Sequence, residues 1–348
     1  MTPDAKNMIA GNRPMPELTV ASGLARGFLR FAVAKGASEA TLLERTAIAA
    51  EDLTDQDKRI PFGSYVKLVR TAKELSNDPA LALHYGAIDD LAQISVVGLI
   101  SRASESFVEA LAQLNRYGKL VIEVDVGGDR FALAREDGEL LLRDNRANPN
   151  EFHELTESTF ARMATGAKHF PDTRLLKKVY VTHAAPPYAD EYEAVFGAPV
   201  VFASSKNALV LDEAWLTHKL QLEPRYVFGI LSEHAEKLLK SLEASKTTRG
   251  RVESLLLPQL HTGDVSMDKI AETMAMSRQT LFRKLKDEGT TFEKVLDDLR
   301  HKLALHYLSG KKVSISETAY LVGFSEAAAF SRAFKRWTGK SPREMRKA

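Results

Sequence analysis

Basic and polar side chains recur at the same spacing in two stretches near the end of this 348-residue sequence. The first stretch is Glu272–Lys286, and a related pattern returns in Thr318–Lys335. Arg283 and Arg332 occupy matching positions, 49 residues apart. An arginine can form two parallel hydrogen bonds with a guanine edge, and Lys or Arg neutralises phosphate charge. The repeat therefore predicts two surfaces that contact a nucleic acid.

Each surface needs a scaffold of two packed helices. In the first stretch one apolar stripe precedes a turn and another follows it, at Ile270, Ala271, Met274, Leu281 and Leu285. In each copy we expect a serine to open the second helix, Ser277 in the first. One side-chain row then faces away from the scaffold: Arg278, Gln279, Phe282 and Arg283. The pattern predicts two helix-turn-helix units, and the recurrence of the turn, the Arg and the terminal Lys favours them over a helical hairpin with a solvated basic face.

The charge of the chain is unevenly distributed. Residues 251–348 contain 18 Lys and Arg against 12 Asp and Glu, whereas residues 1–250 contain 30 against 34. The basic end is therefore the end expected to bind a polyanion. The absence of cysteine excludes disulfides and thiolate metal sites. No apolar run approaches the length of a membrane span, and the first residues lack the apolar core of a signal peptide, so we expect a cytoplasmic protein.

The periodicity of the chain predicts a mixed α+β domain over residues 18–225, after a flexible segment at 1–17. Its first third has helical spacing, including a helix from Ser106 through Tyr117. Residues 121–145 alternate apolar and polar positions around Gly127-Gly128 and Asp137-Gly138, which predicts a strand meander with tight turns. A helix over Phe152–Phe170 and two further strand regions follow.

The rest of the chain has helical spacing. Residues 226–250 are expected to form an amphipathic helix and a polar linker, SKTTRG at 245–250. The all-α domain then spans 251–348. Within it a long helix over Thr291–Leu308 has apolar residues at every third or fourth position: Phe292, Leu296, Leu299, Leu303 and Tyr307. We expect this helix to join the two helix-turn-helix units rigidly.

Motifs across the last hundred residues identify a family. They are SMDKIAETMAMSRQTLFRKLKDEG, a helix with Phe292, Arg300 and Ala304, and ISETAYLVGFSEAAAFSRAFKRWTGKSPREMR. This part closely resembles the DNA-binding domain of AraC/XylS-type bacterial transcription regulators, most specifically through GFSE, FSRAFKRWTG and SPRE. More diffusely, residues 52–86 and 192–216 resemble the arabinose-binding-like, ligand-sensing domain of one branch of that family.

The resemblance implies a one-component regulator that binds operator DNA through its second domain and a small-molecule effector or a second copy through its first. RNA polymerase is a further partner it suggests; no cofactor, metal or membrane is expected. It places base-reading side chains on the first unit at Arg278, Gln279, Phe282 and Arg283, and on the second at Ala327, Ala328, Ser331 and Arg332. It places contacts to the DNA backbone at Ser277, Lys286, Thr291, Lys335, Lys340 and Ser341.

The sequence departs from the family pattern at three places. Ala275 stands in the first turn where the second unit has Gly323, so a left-handed backbone there would cost about 1 kcal/mol. Ala327 and Ala328 replace polar base-reading residues, which predicts weaker specificity in the second unit. Met345 replaces an aromatic residue after SPRE and is interpreted as a packing substitution.

Two other classes of function remain open at this point. One is an enzyme domain with a nucleic-acid-binding tail, but the chain lacks the common nucleophile, zinc and phosphate-loop motifs. Its histidines, His84, His153, His169 and His183 among them, are scattered rather than spaced as ligands. The other is a regulator whose first domain only dimerises. The sequence does not identify an effector or its pocket, an operator, or activation against repression.

Overall fold

The computed structural model describes residues 18–88, 90–167, 176–217, 219, 224–309 and 313–347. The chain forms two compact units, Met1–Leu239 and Lys240–Ala348. The segment 1–17 expected to be flexible, the last three residues of the helix expected over Phe152–Phe170, and His169 lie outside the described residues. The mixed α/β first unit and the helical second unit agree with the fold class expected from the sequence.

The first unit is mostly helical up to residue 117. Its helices are α1 (Ser22–Ala34), α2 (Glu39–Thr46), α3 (Phe62–Leu75), α4 (Leu81–Ile88), α5 (Leu91–Ile94), α6 (Val96–Arg102), α7 (Phe107–Tyr117), α8 (His153–Ala167) and α9 (Ala189–Phe196). Serine side chains begin several of them: Ser38, Ser95 and Ser106 each accept a hydrogen bond from a backbone N–H of the first turn. The next helix, α10 (Arg225–Ser245), contains the division between the two units.

The strands of the first unit form two sheets. They are β1 (Thr19–Ala21), β2 (Arg59–Pro61), β3 (Phe131–Glu136), β4 (Glu139–Asp144), β5 (Leu176–Tyr180), β6 (Val200–Val201) and β7 (Ala208–Leu211). β1 pairs with β2, and the larger sheet has the order β3-β4-β7-β5-β6, with only β5 and β6 parallel. The predicted turn at Asp137-Gly138 is confirmed, because both residues have positive φ and join β3 to β4.

The strand expected before Gly127-Gly128 was a wrong prediction. Ile122 forms only an isolated bridge with Val20, and the backbone N–H of Glu123 donates to the carbonyl of Thr19. Val121 and Ile122 pack into the core of the helical part and not against the larger sheet. The apolar alternation at 121–124 therefore reflects burial beside β1.

Helix α8 lies between the two cores of the first unit. Its Leu155 packs in the core of the helical part, whereas Phe160 and Ala161 pack in the core of the larger sheet. It approaches α4 closely at Gly86, where an added Cβ would lie 2.3 Å from the carbonyl oxygen of Ser158. A side chain at residue 86 would therefore force the two helices apart.

The second unit is built entirely of helices in its described part. After the end of α10 they are α11 (Thr248–Leu256), α12 (Met267–Thr273), α13 (Arg278–Asp287), α14 (Phe292–Ser309), α15 (Ile315–Leu321), α16 (Ala327–Thr338) and α17 (Pro342–Lys347). Lys246 and Thr247 stand between α10 and α11, and the Thr247 side chain caps α11. The domain boundaries expected from the sequence remain a prediction.

The long helix α14 joins two small cores, as its apolar spacing predicted. Phe292, Val295 and Leu299 pack with α11, α12 and α13, whereas Ala304 and Leu308 pack with α15 and α16. Leu303 contacts both cores. The two helix-turn-helix units are therefore held by opposite ends of one helix.

Candidate nucleic-acid interface

The first helix-turn-helix unit consists of α12 and α13. The apolar residues that the spacing singled out, Ile270, Ala271, Met274, Leu281 and Leu285, are all buried in one core. The Ser277 hydroxyl accepts a hydrogen bond from the N–H of Thr280 at 3.2 Å, so it caps α13 as predicted. A capped helix whose other face is buried presents a fixed row of side chains to solvent.

That row contains the side chains expected from the sequence. Arg278, Gln279, Phe282, Arg283 and Lys286 are exposed, and even the large Phe282 ring is 55% exposed. Arg278 forms an ion pair with Asp268 of α12, with 2.8 Å between Nη1 and Oδ2. Arg283, by contrast, makes no ion pair with any residue that the structure describes. Its guanidinium is available to a ligand.

The turns of the two units share a left-handed residue. Ala275 has φ 52° and Gly323 has φ 80°. The left-handed conformation considered for Ala275 is thus present. The Cβ of alanine makes this conformation strained, whereas glycine would adopt it without strain.

The second unit, α15 and α16, differs from the first by one residue in its turn. Ala271 and Ala319 are equivalent at an offset of 48, whereas Leu281 and Phe330 are equivalent at 49. The N-cap residue of α16 is Glu326, and its side chain makes no capping hydrogen bond. The expectation that a serine opens this helix was therefore wrong, because the extra residue places Ser325 one position before the cap.

The predicted row of the second unit is smaller and partly covered. Ala328, Arg332 and Lys335 are exposed, while Ala327 and Ser331 are half-buried. The Ser331 hydroxyl donates to the carbonyl of Ala327 at 2.8 Å, so only its oxygen lone pairs remain for a ligand. Arg332 is the long cationic side chain at the centre of this row, and it forms no ion pair within the described ranges.

The remaining predicted contacts lie at helix ends. Thr291 directly precedes α14, and its hydroxyl accepts a hydrogen bond from the N–H of Lys294 at 3.2 Å. Ser341 and Glu344 exchange hydrogen bonds at the start of α17, and Lys340 beside them is exposed. Met345 packs with the second core, which supports its interpretation as a packing residue.

Arg300 is a positioning residue whose role the sequence did not indicate. It lies half-buried on α14, and its Nε and Nη2 donate to the carbonyls of Val322 and Gly323, both at 3.1 Å. Its guanidinium also lies over the Phe324 ring, 4.8 Å from the centroid. Burial lowers the pKa of Arg300. The arginine thereby fixes the second turn to the long helix.

The first unit contains a cavity of about 550 Å³. Its walls come from α6, α7, α8 and the larger sheet, and most of the lining is apolar. Volumes of this size are typical of small-molecule sites. Arg130 lies in the lining, where its Nε and Nη2 bind the buried Asp144 carboxylate at 3.1 and 3.0 Å. The sequence offered no motif for this pocket.

A second polar cluster of the first unit centres on Glu157. Tyr188 and Tyr192 both donate hydroxyl hydrogen bonds to its Oε1. His153 and His183 lie beside it with ring centroids 5.1 Å apart, so two of the histidines that appear scattered in the sequence meet in space. His84 lies elsewhere, between Asp78 and Glu191. Within the described residues no group of His, Asp and Glu has the arrangement of a metal site.

Comparison with known proteins finds a matching family model for each of the two units. Residues 36–220 match the family model for the arabinose-binding domain of AraC transcription regulators, and residues 270–348 match a helix-turn-helix domain model. The ornithine utilization regulator of Pseudomonas aeruginosa is 29% identical over 324 residues, covering 90% of this chain and 92% of that protein. The HTH-type transcriptional regulator VqsM of the same species is 33% identical over 157 residues, covering 44% of this chain and 48% of its own.

A solved structure also aligns with most of the chain. The transcriptional regulator CdpR from Pseudomonas aeruginosa is 20% identical, with a TM-score of 0.42, over 89% of this chain and 96% of that one. The two curated relatives are named as regulators, which is consistent with a protein that is not an enzyme. Within the described ranges every helix is too short or too polar to span a bilayer.

Proposed function

The chain belongs to the AraC family of transcription regulators, and from that premise we propose that α13 and α16 read operator DNA in successive major-groove faces, under the control of a small molecule bound in the first unit. The observation that supports this most is the matched exposure of Arg283 and Arg332 on two helices held by opposite ends of α14. Neither arginine is engaged by another described residue.

The two helices contribute unequally to the proposed recognition of DNA bases. Arg278, Gln279 and Arg283 give α13 several hydrogen-bonding groups, whereas α16 offers Arg332 beside the small Ala328 side chain. Bidentate pairing of an arginine with guanine contributes about 1–3 kcal/mol of discrimination, and alanine methyls suit thymine methyl groups. Because rigidly joined recognition helices are spaced by roughly one turn of DNA, about 34 Å, one chain should cover two short boxes of unequal information content.

The contacts to the DNA backbone are proposed at exposed cations and helix ends. Lys286, Lys335 and Lys340 supply charge, and the N-termini of α13 and α14 supply N–H groups beside Ser277 and Thr291. A second copy of the chain and RNA polymerase are proposed as protein partners, and the cytoplasm as the place of action. The name of the ornithine utilization regulator makes ornithine one compound to test as effector.

The test is the salt dependence of binding to DNA from the promoter region of the protein's own gene. Each phosphate contact should contribute about −0.9 to the slope of log K against log salt concentration, and Lys340→Ala should make the slope less steep by about one contact. Arg283→Ala should instead relax selectivity at one box and leave the slope nearly unchanged. Weak binding that is insensitive to salt would refute the proposal.

A further inference from the structure

Two adjacent carboxylates on helix α14 form ion pairs with different helices. Asp298 Oδ2 lies 3.0 Å from Nη2 of Arg249 in the first turn of α11. Asp297 Oδ2 lies 2.8 Å from Nη2 of Arg336 in the last turn of α16. Adjacent side chains of a helix point about 100° apart, so two such residues do not share a partner. Neighbouring positions of α14 are thus attached to a helix of each half of the second unit.

The attachment of α11 continues to the first recognition helix, α13. Glu288 directly follows α13, and its carboxylate accepts hydrogen bonds from the backbone N–H groups of Thr248 and Arg249, at 2.7 and 2.9 Å. Burial raises the pKa of Glu288, but hydrogen bonds from Arg249 and Thr248 outweigh this effect and hold the pKa below its ordinary value. The carboxylate is therefore charged at neutral pH, and it joins the C-terminal end of α13 to the positive end of α11.

Glu288 holds α13 from the side opposite its exposed row. It follows the buried Leu281 and Leu285 at intervals of seven and three residues, which continues their stripe along the helix. Both leucines pack in the same core as Val252 and Leu256 of α11. Apolar contacts have no preferred direction, whereas a hydrogen bond has a preferred distance and angle. Glu288 therefore fixes the position of α13 along α11, which the apolar packing alone leaves adjustable.

The start of α11 is itself closely held. The Thr247 side chain caps it, and Nε of Arg249 lies 2.8 Å from Oε1 of Glu253 one turn later. A Cβ at Gly250 would lie 2.0 Å from the carbonyl oxygen of Ala244, so α10 and α11 meet in a tight corner. The first turn of α11 can therefore transmit a position from Asp298 to Glu288 without bending.

We propose that Glu288, Arg249, Asp298, Asp297 and Arg336, which we call the α14 network, set the distance between DNA boxes that the chain accepts. One arm attaches α13 to α14 through α11, and the other attaches α16 to α14 directly. Ion pairs at an exposed surface contribute little to the free energy of unfolding, so the network acts by limiting how far each recognition helix rocks against α14. The inference rests on the proposed function, in which α13 and α16 each read one box.

The test inserts one base pair between the two boxes in DNA from the promoter region of the protein's own gene. The insertion moves one box by about 3.4 Å and about a tenth of a turn. The spacing penalty is the ratio of the Kd for the inserted DNA to the Kd for the original DNA, measured by fluorescence anisotropy with the full chain. We expect about tenfold or more for the unaltered chain, because the displaced helix loses an arginine–guanine pairing.

The double variant Asp297→Asn with Asp298→Asn tests the centre of the network. Both ion pairs with α14 are then lost, so each recognition helix can follow a displaced box. The spacing penalty should fall to about threefold or less, because the arginine–guanine pairing is partly recovered on the inserted DNA. Circular dichroism and urea unfolding should show a folded protein of nearly unchanged stability, since both ion pairs are exposed.

The arm that holds α13 is tested at a backbone group. Thr248→Pro removes an N–H that bonds Glu288, yet α11 still forms, because proline suits the first position of a helix. Thr247 already has the extended conformation that a following proline requires, with φ −84° and ψ 150°. Thr248→Pro should lower the spacing penalty, as should Glu288→Ala, and it should add little to Glu288→Ala. Thr248→Ala keeps the N–H and should keep the penalty of the unaltered chain.

Asp264→Asn is the control for the loss of negative charge. Asp264 is an exposed carboxylate of the same unit, and it pairs with Lys269 at the start of α12 rather than with α14. Removing a carboxylate reduces repulsion from DNA phosphates, so all the Asp→Asn changes should strengthen binding to both DNAs alike. In Asp264→Asn the ratio of the two Kd values should therefore stay the same.

Two kinds of failure are distinguishable. If the unaltered chain has a spacing penalty and either the double aspartate variant or Glu288→Ala keeps it in full, the inference is overturned and the proposed function stands. If the unaltered chain has no spacing penalty, the inference fails together with the reading of two rigidly joined boxes. If the double aspartate variant does not fold, Glu288→Ala and Thr248→Pro decide the question.

Discussion

Glu157 is a carboxylic acid buried inside the first unit and held by two tyrosine hydroxyls. Burial raises its pKa from 4.5 to about 7, although hydrogen bonds from Tyr192 and Tyr188 oppose the shift. The same burial, with the adjacent carboxylate, raises the pKa of both tyrosines above the ordinary value. Lys73, Glu154, His153 and His183 also face this cluster. Near neutral pH the acid is therefore close to half-protonated in the folded chain.

We expect Glu157 to make the stability of the first unit depend on pH. Between pH 4.5 and about 7 the folded chain keeps a proton here that the unfolded chain has released, so the free energy of unfolding falls as pH rises through this window. The full change is about 3 kcal/mol. Glu157→Gln, a neutral mimic of the protonated acid, should remove this dependence in urea unfolding curves measured from pH 5 to pH 8.

The histidines of the cluster have the opposite effect and serve as the internal control. Burial lowers the pKa of His153 and of His183, so their contribution to stability is lost as pH falls below about 6.5. Both histidines are present in the unaltered protein and in Glu157→Gln. The difference between the free energies of unfolding of these two proteins therefore isolates the contribution of Glu157. A difference that stays constant from pH 5 to pH 8 would contradict the assignment.

Ala275 and Gly323 occupy the same left-handed position in two turns, yet they should respond oppositely to exchange. Ala275→Gly relieves the strained φ and should stabilise the second unit by about 0.5–1 kcal/mol. Gly323→Ala should destabilise it by more, because the new Cβ would lie 2.3 Å from the carbonyl oxygen of Leu260 as well as having positive φ. Chemical unfolding followed by circular dichroism measures both changes. Equal and opposite effects would show that strain alone matters at both turns.

Among the elements, α14 determines where the second recognition helix lies, and Arg300 is its point of attachment. Arg300→Met keeps the length of the side chain but leaves the carbonyls of Val322 and Gly323 without their charged donor. We expect a loss of about 2–3 kcal/mol in stability and weaker binding at the box read by α16. Unfolding curves and binding to DNA with either box scrambled measure the two effects.

Arg332→Ala is the matched control for Arg300→Met. Arg332 is exposed on α16 and makes no ion pair with a described residue, so its loss should weaken binding at the same box without a change in stability. If Arg300→Met leaves both stability and box preference unchanged, Arg300 does not position α16.

The elements that the sequence predicted are those whose apolar spacing matches their burial. The stripes of α12 and α13 were readable because each faces a single core, and the stripe of α14 because it continues from one core of the second unit into the other. The turn at Asp137-Gly138 was readable because its residues favour positive φ. Residues 121–124 gave a wrong strand prediction, because their apolar and polar side chains alternate although the segment does not join the larger sheet. One additional residue in the turn before α16 leaves the apolar spacing of that helix unchanged and shifts only its N-cap to Glu326. The apolar spacing therefore did not reveal the additional residue.

The side chains that the sequence could not place depend on contacts distant along the chain. Arg300 reaches carbonyls 22 and 23 residues away, and Glu157 meets hydroxyls 31 and 35 residues away. The cavity of the first unit has the same origin, since the position of Arg130 in its lining depends on contacts with Asp144 and on the hydrogen bonds between Asn115 and Phe131. The exposed rows of α13 and α16 were predictable because they need only local helical geometry.

At the scale of the whole molecule, α10 is the element that passes from the first unit into the second. Its N-terminal part is tied to α7 by two ion pairs, Arg225 with Glu109 at 2.9 Å and Glu236 with Arg116 at 2.8 Å. Helix α7 lines the cavity with another face. A ligand that moves or rigidifies α7 would therefore act on α10 directly, which is a physical route by which binding in the cavity could reach the DNA-binding unit.

This route predicts a measurable coupling. If a small molecule bound in the cavity strengthens or weakens DNA binding by some factor, DNA must change the affinity for that molecule by the same factor, and couplings of this kind are typically about 1–3 kcal/mol. Replacing both Arg116 and Arg225 by alanine should reduce the factor toward one while the affinity for DNA without ligand stays the same. Lys237→Ala is the matched control, because Lys237 pairs with Glu233 within α10 and should leave the coupling unchanged. Full coupling in the double variant would show that the ion pairs between α7 and α10 do not transmit it.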